Sequence, residues 1–140
     1  MMNGITVTPL KKISHPKGDI YHAMKASSIG YDGFGEAYFS TIRHGEIKGW
    51  KCHLRATLNL IVIVGEIRFA VFDSETDKFF EITLGPTNYS RLTIRSGLWV
   101  AFKGMGSGVN VLLNISSEEH DPAEAKNIEL SELPYIWSEQ

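Results

Sequence analysis

The sequence predicts an all-β protein, built as an antiparallel sandwich or barrel. Hydrophobic patterns with the period of a helix are scarce, and short runs of β-branched and aromatic residues recur along the chain. Turn signals separate these runs about every 8–12 residues, which is typical of sandwiches and barrels. With 140 residues, 43% of them hydrophobic, the chain is long enough for a packed core. We therefore expect about ten short strands in a single domain that spans residues 1–140.

Nine segments carry most of the strand signal. In chain order they are residues 5–10, 36–43, 47–54, 58–64, 67–73, 79–84, 89–94, 98–102 and 109–116. Segments rich in glycine, proline or polar residues lie between them and favour turns, among them 15–19, 27–35 and 104–108. Only the tail segment "DPAEAKNIEL" has a helical pattern. There we expect a short helix with Asp121 as its N-cap, Pro122 as its first residue and Glu124 as the partner in a capping box.

Composition excludes several classes of protein. The net charge is -2, and the pI is near 6.2, so no basic stripe is available for nucleic acid and no polybasic segment for a membrane. Cys52 is the one cysteine, which excludes an intramolecular disulfide and a zinc site of the CxxC type. No stretch reaches the roughly 20 apolar residues of a spanning helix, and the first residues lack an apolar leader. We expect a soluble, cytoplasmic protein.

The segment "KGWKCHLRATLNLIVIVGEI" places two basic side chains just before an apolar strand. Strict alternation would put Lys48, Trp50 and Cys52 on one face of the strand, with Lys51 and His53 together on the other. Two basic groups on one face favour an anion or a carbonyl as their partner. A strand end at the solvent edge, with both side chains hydrated, fits the spacing equally well.

The same region resembles a known family. The segment "FSTIRHGEIKGWKCH" resembles the S-x-S-x-x-G-V-L-R-G-L-H segment of the dTDP-4-dehydrorhamnose 3,5-epimerase family, without a gap over residues 40–51 and with Gly45 and Gly49 in place. "HPKGD" resembles the family's D-x-R-G turn, with Lys17 where an arginine is usual. "LTIRSGLWVAF" resembles I-P-P-G-x-x-H-G-F, and "HDPAEA" resembles Y-x-P-E-x-E. The likeness covers residues 12–126.

The chain also resembles the sugar 3,4-ketoisomerases, whose matching segment reads G-F-H-x-H against "GWKCH" here. Both groups are cupins. The resemblance therefore implies a cupin-type antiparallel β-barrel or jelly roll, followed here by the short C-terminal helix. It further implies a homodimer and a nucleotide-linked 4-keto sugar as the substrate.

Several positions depart from the two families. Lys51 replaces the epimerases' catalytic histidine and the first ketoisomerase histidine, while His53 matches the second ketoisomerase histidine. Leu58 stands at the epimerases' lysine, Val100 at a further histidine, and Asn114 or its neighbours near the acid tyrosine. Metal-binding cupins need three histidines and a carboxylate, which one imidazole cannot replace. We expect no catalytic metal and no cofactor.

The preferred hypothesis is a metal-free epimerase or isomerase that acts on a nucleotide-linked 4-keto-6-deoxy sugar in surface polysaccharide biosynthesis. A base removes the proton next to the ketone, a cation holds the enolate oxygen, and an acid returns a proton. His53 is the expected base. Lys51 is the enolate cation or, if it is buried among the apolar strands, a second acid or base. His120, Glu118 and Glu119 are candidates for the returning acid.

A further set of cationic, polar and aromatic side chains is expected to bind substrate. The set is Lys48, Lys17, Tyr38, Arg43, Asn59, Trp50 and Trp99. Lys48 and Lys17 occupy positions that resemble diphosphate-binding arginines. The aromatic members could stack on the base or the sugar of the substrate. For the two tryptophans, packing in the core fits the sequence equally well.

Two alternatives remain. The first is a non-catalytic module that binds a sugar or a sugar nucleotide, with Lys51 paired to a phosphate or carboxylate. The second is a structural cupin whose pocket is filled by its own side chains.

Overall fold

The structure is a computed structural model, and it describes residues 2–137. Within that range the chain forms twelve strands and two single turns of 3-10 helix, Pro122–Glu124 and Leu130–Glu132. The strands are β1 (Ile5–Pro9), β2 (Lys12–Ile13), β3 (Ile20–Tyr21), β4 (Glu36–Ile42), β5 (Ile47–His53), β6 (Leu58–Val64), β7 (Ile67–Asp73), β8 (Lys78–Leu84), β9 (Ser90–Ile94), β10 (Trp99–Gly104), β11 (Asn110–Ser116) and β12 (Ala125–Asn127). No helix in this part of the chain has the length and hydrophobicity needed to cross a membrane.

Two five-stranded antiparallel sheets face each other. The first sheet has the order β1-β9-β6-β11-β4, the second has the order β12-β5-β10-β7-β8, and β2 and β3 form a separate hairpin. The predicted all-β fold is confirmed. The predicted barrel is only a loose description of the structure. No strand ladder joins the two sheets within residues 2–137, so the sandwich is open.

The core lies between the sheets, where alternate side chains of facing strands meet. Leu60 and Val62 of the first sheet belong to the same buried cluster as Phe69 and Val71 of the second. Burial of such side chains contributes about 1.5–3 kcal/mol each. The sequence predicts one strongly buried face for β7, but both of its faces are buried, since Ala70 also lies in a second apolar cluster on the outer face.

The C-terminal segment covers that outer face of the second sheet. Ile128 exchanges backbone hydrogen bonds with Trp50, with N–O distances of 3.1 and 3.2 Å. The rings of Tyr135 and Trp137 pack against the Trp50 indole at centroid distances of 6.2 and 6.1 Å. This cover explains why an indole on the outer face of a sheet is fully buried.

The predicted C-terminal helix is wrong in its extent. Asp121 does cap the turn, because its side chain accepts a 3.0 Å hydrogen bond from the Ala123 amide, and Pro122 follows as the first helical residue. The turn ends after Glu124, and the chain then pairs with β5 as β12. Strand pairing at a free sheet edge, together with burial of the following apolar residues, prevails over the local helical signal.

A β-bulge in β5 changes which side chains face the core. Val100 of β10 lies opposite Lys51, but Phe102 lies opposite Lys48, so two residues of β5 face one residue of β10. The extra residue shifts the alternation by one position. Lys48 therefore faces the space between the sheets together with Lys51 and His53, and the expectation that Lys48 shares a face with Trp50 is wrong.

Gly49 makes this bulge possible. Its φ is 143°, a value that favours glycine, and a Cβ atom added there would overlap Ala101 on β10. We predict that Gly49→Ala lowers the free energy of unfolding by about 2–4 kcal/mol, through backbone strain and overpacking. Urea denaturation measures the change.

Gly108→Ala is the matched control for this prediction. A Cβ atom at Gly108 would meet no atom within 4 Å, so the change should stay within about 0.5 kcal/mol. Equal stability of the two variants would contradict the role assigned to Gly49.

Candidate active site

A cavity of about 260 Å³ lies between the two sheets at the open edge of the sandwich. Six strands supply its lining, and β5 contributes four of the residues. The lining residues are Tyr38, Ser40, Lys48, Gly49, Lys51, His53, Leu58, Leu60, Val100, Phe102, Leu112, Asn114 and Asn127. An open space beside Lys51 and His53 disfavours a structural cupin whose pocket is filled by its own side chains.

The lining divides by polarity. Leu58, Leu60 and Val100 form part of an apolar wall, whereas Tyr38 and His53 belong to the polar side. Leu58 and Val100 stand where the epimerases carry a lysine and a histidine, so this wall lacks two ionisable groups of that family. An apolar wall excludes water and strengthens the electrostatic interactions of the polar groups that it faces.

His53 is paired with a carboxylate that lies 71 residues later in the chain. His53 Nδ1 is 2.7 Å from Glu124 Oε1. The other oxygen, Oε2, accepts hydrogen bonds from the backbone amides of Arg55 at 2.9 Å and Ala56 at 2.8 Å. Glu124 is 4% exposed. This carboxylate thus joins the segment that leads into β12 to the connection between β5 and β6.

The environment keeps Glu124 ionised. Burial acts to raise the pKa of the carboxyl group, but the hydrogen bonds from His53 and from the amides of Arg55 and Ala56 outweigh it and lower the pKa to about 2. An ionised carboxylate only accepts hydrogen bonds, so His53 Nδ1 must donate to it. In the neutral ring Nε2 is then the unprotonated nitrogen and can accept a proton.

Tyr38 lines the same cavity as His53 and is held by Asn114. Asn114 Nδ2 donates a 2.9 Å hydrogen bond to the Tyr38 hydroxyl oxygen, which leaves the hydroxyl proton free for another acceptor. Burial raises the pKa of Tyr38 despite the hydrogen bond from Asn114, so the phenol keeps its proton at neutral pH. Asn114 is 7% exposed, and its Oδ1 is buried with no hydrogen-bond partner among residues 2–137.

Two lysines face the cavity, and they differ in whether their amines already form a hydrogen bond. Lys48 Nζ donates a 2.7 Å hydrogen bond to the Thr41 carbonyl oxygen. The Lys51 amine has no hydrogen bond or ion pair with any residue in 2–137, so its donors are available to a ligand. Lys51 is exposed, and the burial that a role as a second acid or base would require is not observed.

A second cavity of about 200 Å³ adjoins the first and shares Tyr38, Lys51, His53 and Asn127 with it. Its outer rim is acidic and contains His120. The rim residues are Glu36, Glu118, Glu119, His120 and Asp121. The Arg55 guanidinium lies 3.5 Å from Glu118 and 3.4 Å from Asp121, and these exposed pairs contribute little to stability. This acidic rim is unfavourable for a diphosphate, whereas Lys48 lies toward the opposite end of the first cavity.

The remaining candidates lie outside both cavities. Trp50 is fully buried beneath the C-terminal segment, and Trp99 packs beside the same cluster with Lys126 5.8 Å from its ring. Asn59 is on the outer face of β6, where its Nδ2 donates a 2.9 Å hydrogen bond to the Gly30 carbonyl oxygen and its Oδ1 accepts from Thr93. The structure therefore does not bring these three predicted substrate-binding residues to the cavity.

Two predicted cationic anchors are also separate from the cavity. Arg43 is exposed beside Lys48, in a shallow groove at the end of β4. Lys17 is exposed in the turn between β2 and β3. Neither side chain lines the space that holds His53.

No group of three or more histidine, cysteine, aspartate or glutamate side chains is arranged to hold a metal ion in the described part of the chain. The lack of a catalytic metal stays a prediction from the sequence.

Sequence reasoning missed Glu124 as a site residue, because its position three residues after Asp121 matches a capping box. The motif "HDPAEA" did contain a signal, since it resembles a family segment that carries acidic residues. Asn127 was also missed, since it reaches the cavity only through the pairing of β12 with β5, opposite Lys51.

No protein-family model and no curated protein sequence matches the chain. Solved structures do match. A dTDP sugar isomerase from Desulfovibrio desulfuricans G20 has a TM-score of 0.91 and 26% identity, over 96% of this chain and 91% of that one.

Two other solved structures show the same fold at lower identity. A sugar 3,4-ketoisomerase from Thermoanaerobacterium thermosaccharolyticum, in complex with TDP, has a TM-score of 0.78 and 20% identity, over 90% of this chain and 89% of that one. A dTDP-6-deoxy-D-glucose-3,5-epimerase from Legionella pneumophila, in complex with dTDP-4-keto-L-rhamnose, has a TM-score of 0.84 and 15% identity, over 97% and 79%. The resemblance to both groups of enzymes is confirmed in the fold.

The low pKa of Glu124 predicts a specific dependence of stability on pH. Its folded pKa of about 2 lies below the ordinary value of 4.5, so the ionised carboxylate stabilises the fold above about pH 5. That contribution, on the order of 3 kcal/mol, is lost as the pH falls from about 5 to about 2. Urea denaturation of Glu124→Gln should lack this portion of the acid-induced loss.

Glu119→Gln is the control, because Glu119 is exposed on the same rim. Its unfolding free energy should follow the wild-type curve at every pH. Parallel curves for Glu124→Gln and the wild type would show that Glu124 is not held ionised by these contacts.

Proposed function

We propose that this chain, which shares its fold with nucleotide-sugar isomerases and epimerases, isomerises a nucleotide-linked 4-keto-6-deoxy sugar without a metal ion. The reaction is an epimerisation or a 3,4-ketoisomerisation, and both begin with removal of a proton next to the ketone. The observation that carries the proposal is the His53–Glu124 pair, with Nδ1 of His53 2.7 Å from the buried carboxylate, at the wall of a cavity. The similar dTDP sugar isomerase structure supports it.

His53 is the base in this mechanism. The ketone acidifies the neighbouring C–H bond, and Nε2 accepts the proton while Nδ1 stays bonded to Glu124. The ring becomes an imidazolium ion, which the ionised carboxylate stabilises and keeps in position. The carboxylate itself stays ionised throughout, because its pKa is about 2.

Lys51 stabilises the negative oxygen of the enolate. Its amine lines both cavities and has no partner among residues 2–137, so it can approach the substrate carbonyl without breaking an existing contact. A cation that is placed where charge develops lowers the barrier, and the apolar wall formed by Leu58, Leu60 and Val100 strengthens its electrostatic interaction with the enolate oxygen.

Tyr38 returns the proton. Its oxygen accepts a hydrogen bond from Asn114, so its own proton is free for another acceptor. Its raised pKa keeps it in the donor form until the enolate, a stronger base, accepts the proton. We prefer Tyr38 to the predicted acids His120, Glu118 and Glu119, because they lie on the rim of the second cavity and do not line the first.

The cavity also suggests how the substrate lies. The methyl group of a 6-deoxy sugar suits the apolar wall, the orphaned Oδ1 of Asn114 can accept a hydroxyl proton, and Lys48 can hold the diphosphate away from the acidic rim. The bound TDP and dTDP-sugar in similar structures favour a deoxythymidine nucleotide. The proposal that the reaction belongs to surface polysaccharide biosynthesis and takes place in the cytoplasm is based on the family resemblance.

A homodimer belongs to the same proposal. The hairpin formed by β2 and β3 is exposed over its whole length, including the apolar side chains of Ile13, Ile20 and Tyr21. Lys17 lies in its turn, away from the cavity of its own chain. In a dimer the hairpin would lie against a second copy, where Lys17 could bind the diphosphate of the partner's substrate.

The second candidate function is a non-catalytic module that binds a sugar nucleotide. The presence of Lys51 at the position of the epimerases' catalytic histidine favours it, because a lysine can bind a phosphate without any proton transfer. The two functions differ in one measurable property, the exchange of substrate hydrogen with solvent.

Incubation with nucleotide 4-keto-6-deoxy sugars in D2O tests the enzyme function by proton NMR. We expect deuterium at a carbon next to the ketone, and a loss of about a thousandfold in the exchange rate for His53→Ala, since the base is removed. His44→Ala should exchange normally, because His44 lies on a turn outside both cavities. Saturable binding without any deuterium uptake would instead establish the binding module.

The Tyr38→Phe variant tests whether Tyr38 acts as the acid that returns the proton and takes no part in its removal. We expect deuterium uptake into recovered substrate to stay within about threefold of the wild type while product formation falls about a hundredfold, since only proton return is impaired. Tyr31→Phe, on the outer face of the first sheet, should change neither rate. Equal losses of uptake and product in Tyr38→Phe would show that Tyr38 takes part in proton removal, contrary to its assignment.

A further inference from the structure

A basic groove of about 340 Å³ lies on the outer side of the first sheet, between the end of β1, the loop that follows β3, and Arg91 of β9. We propose that this outer groove binds a phosphate-bearing anion, of the phosphomonoester or diphosphate class. The lining residues that carry the argument are Lys11, His22, Ala23, Lys25, Ile29 and Arg91.

Arg91 is a buried cation without a counter-ion. It is 2% exposed, and it makes no ion pair with any carboxylate in residues 2–137. Nη1 donates to the Ala23 carbonyl oxygen at 2.8 Å and Nη2 to the Ile29 carbonyl oxygen at 2.7 Å, while Nε is buried and has no hydrogen-bond partner in the described part of the chain. A buried charge is costly unless an opposite charge compensates it.

Burial also lowers the pKa of Arg91, which is the expected sign of a guanidinium removed from water without a nearby anion. An anion in the adjacent groove would supply the missing charge. A phosphate suits this place because its charge would interact with that of Arg91, while Lys11 and Lys25 can donate charge-assisted hydrogen bonds to its oxygens.

Three further basic side chains surround the groove. Lys11, Lys25 and His22 make no side-chain hydrogen bond or ion pair within the described residues. No aspartate or glutamate belongs to the lining. The chain as a whole has a net charge of -2, so this local excess of positive charge is not an average property of the surface.

The loop that forms the groove is held in place by three outward-facing contacts. Asn59 donates to the Gly30 carbonyl oxygen at 2.9 Å, and the Thr57 hydroxyl donates to Asp32 at 2.8 Å. Arg91 supplies the third contact, at Ala23 and Ile29. The groove is therefore formed before a ligand arrives, which reduces the entropic cost of binding.

The outer groove is distinct from the catalytic cavity. Arg91 and Leu92 are neighbours on β9, and Leu92 belongs to the core between the sheets whereas the Arg91 side chain reaches the outer loop. The two sites share no lining residue. The proposal for the outer groove therefore does not rest on the proposed reaction.

Titration with inorganic pyrophosphate, followed by 1H–15N NMR at constant ionic strength, tests the proposal. We expect saturable shifts of the amides in residues 23–29. Lys11→Ala with Lys25→Ala should weaken the binding measured there by about tenfold or more, because two charged donors are lost. These exposed lysines can be removed without disturbing the core.

The matched control combines Lys12→Ala with Lys78→Ala. It removes the same charge from two exposed lysines outside the groove, and its affinity should equal that of the wild type. Shifts confined to amides around residues 48–53, or an equal loss of affinity in the control, would overturn the proposal, since the anion would then bind only in the cavity or only through general charge.

Discussion

The buried carboxylate of Glu124 is the contact on which the candidate site depends. It accepts three hydrogen bonds, one from His53 and two from the amides of Arg55 and Ala56. Each hydrogen bond to an ionised group contributes about 1.5–3 kcal/mol. The same group fixes the path of the chain before β12 and the orientation of the imidazole, so the local fold and the proposed chemistry depend on one interaction.

The two sheets contribute different polar side chains to the candidate site. The second sheet provides the bulged strand β5, which brings Lys48, Lys51 and His53 to one face. The first sheet provides Tyr38 and Asn114, which are paired across β4 and β11. The polar groups thus converge from opposite sides on one space, while leucine and valine side chains exclude water from its other wall. The geometry suits proton transfer to and from carbon, in which a base and an acid must flank the same substrate.

Most of the fold could be predicted from the sequence because short runs of β-branched and aromatic residues recur and glycine, proline or polar residues separate them. The predicted segments 36–43, 58–64 and 67–73 agree with β4, β6 and β7 to within a residue. The tail could not be predicted, because a strand that completes a sheet edge gains its stability from a partner distant in sequence. The local pattern at Asp121 shows only the cap.

The candidate site was predictable only in part. His53 and Lys51 could be identified because polar or charged side chains just before an apolar strand are costly unless they are paired, hydrated or functional. Glu124 does not stand out, since its contact with His53 spans 71 residues. Asn59 was misassigned for a related cause: a polar residue on an apolar strand is costly unless paired, and its partners, Gly30 and Thr93, lie on the outer face. The alternation of side chains along a strand assigns each residue to one of the two faces of the sheet, but it does not identify the hydrogen-bond partners of that residue.

The tautomer of His53 tests the account most directly. Long-range 1H–15N NMR at a pH where the ring is neutral distinguishes a proton on Nδ1 from one on Nε2. We predict that Nδ1 carries the proton in the wild type, because Glu124 is ionised and only accepts hydrogen bonds. A neutral ring protonated on Nε2 would contradict it, since the nitrogen required to accept the substrate proton would already be occupied.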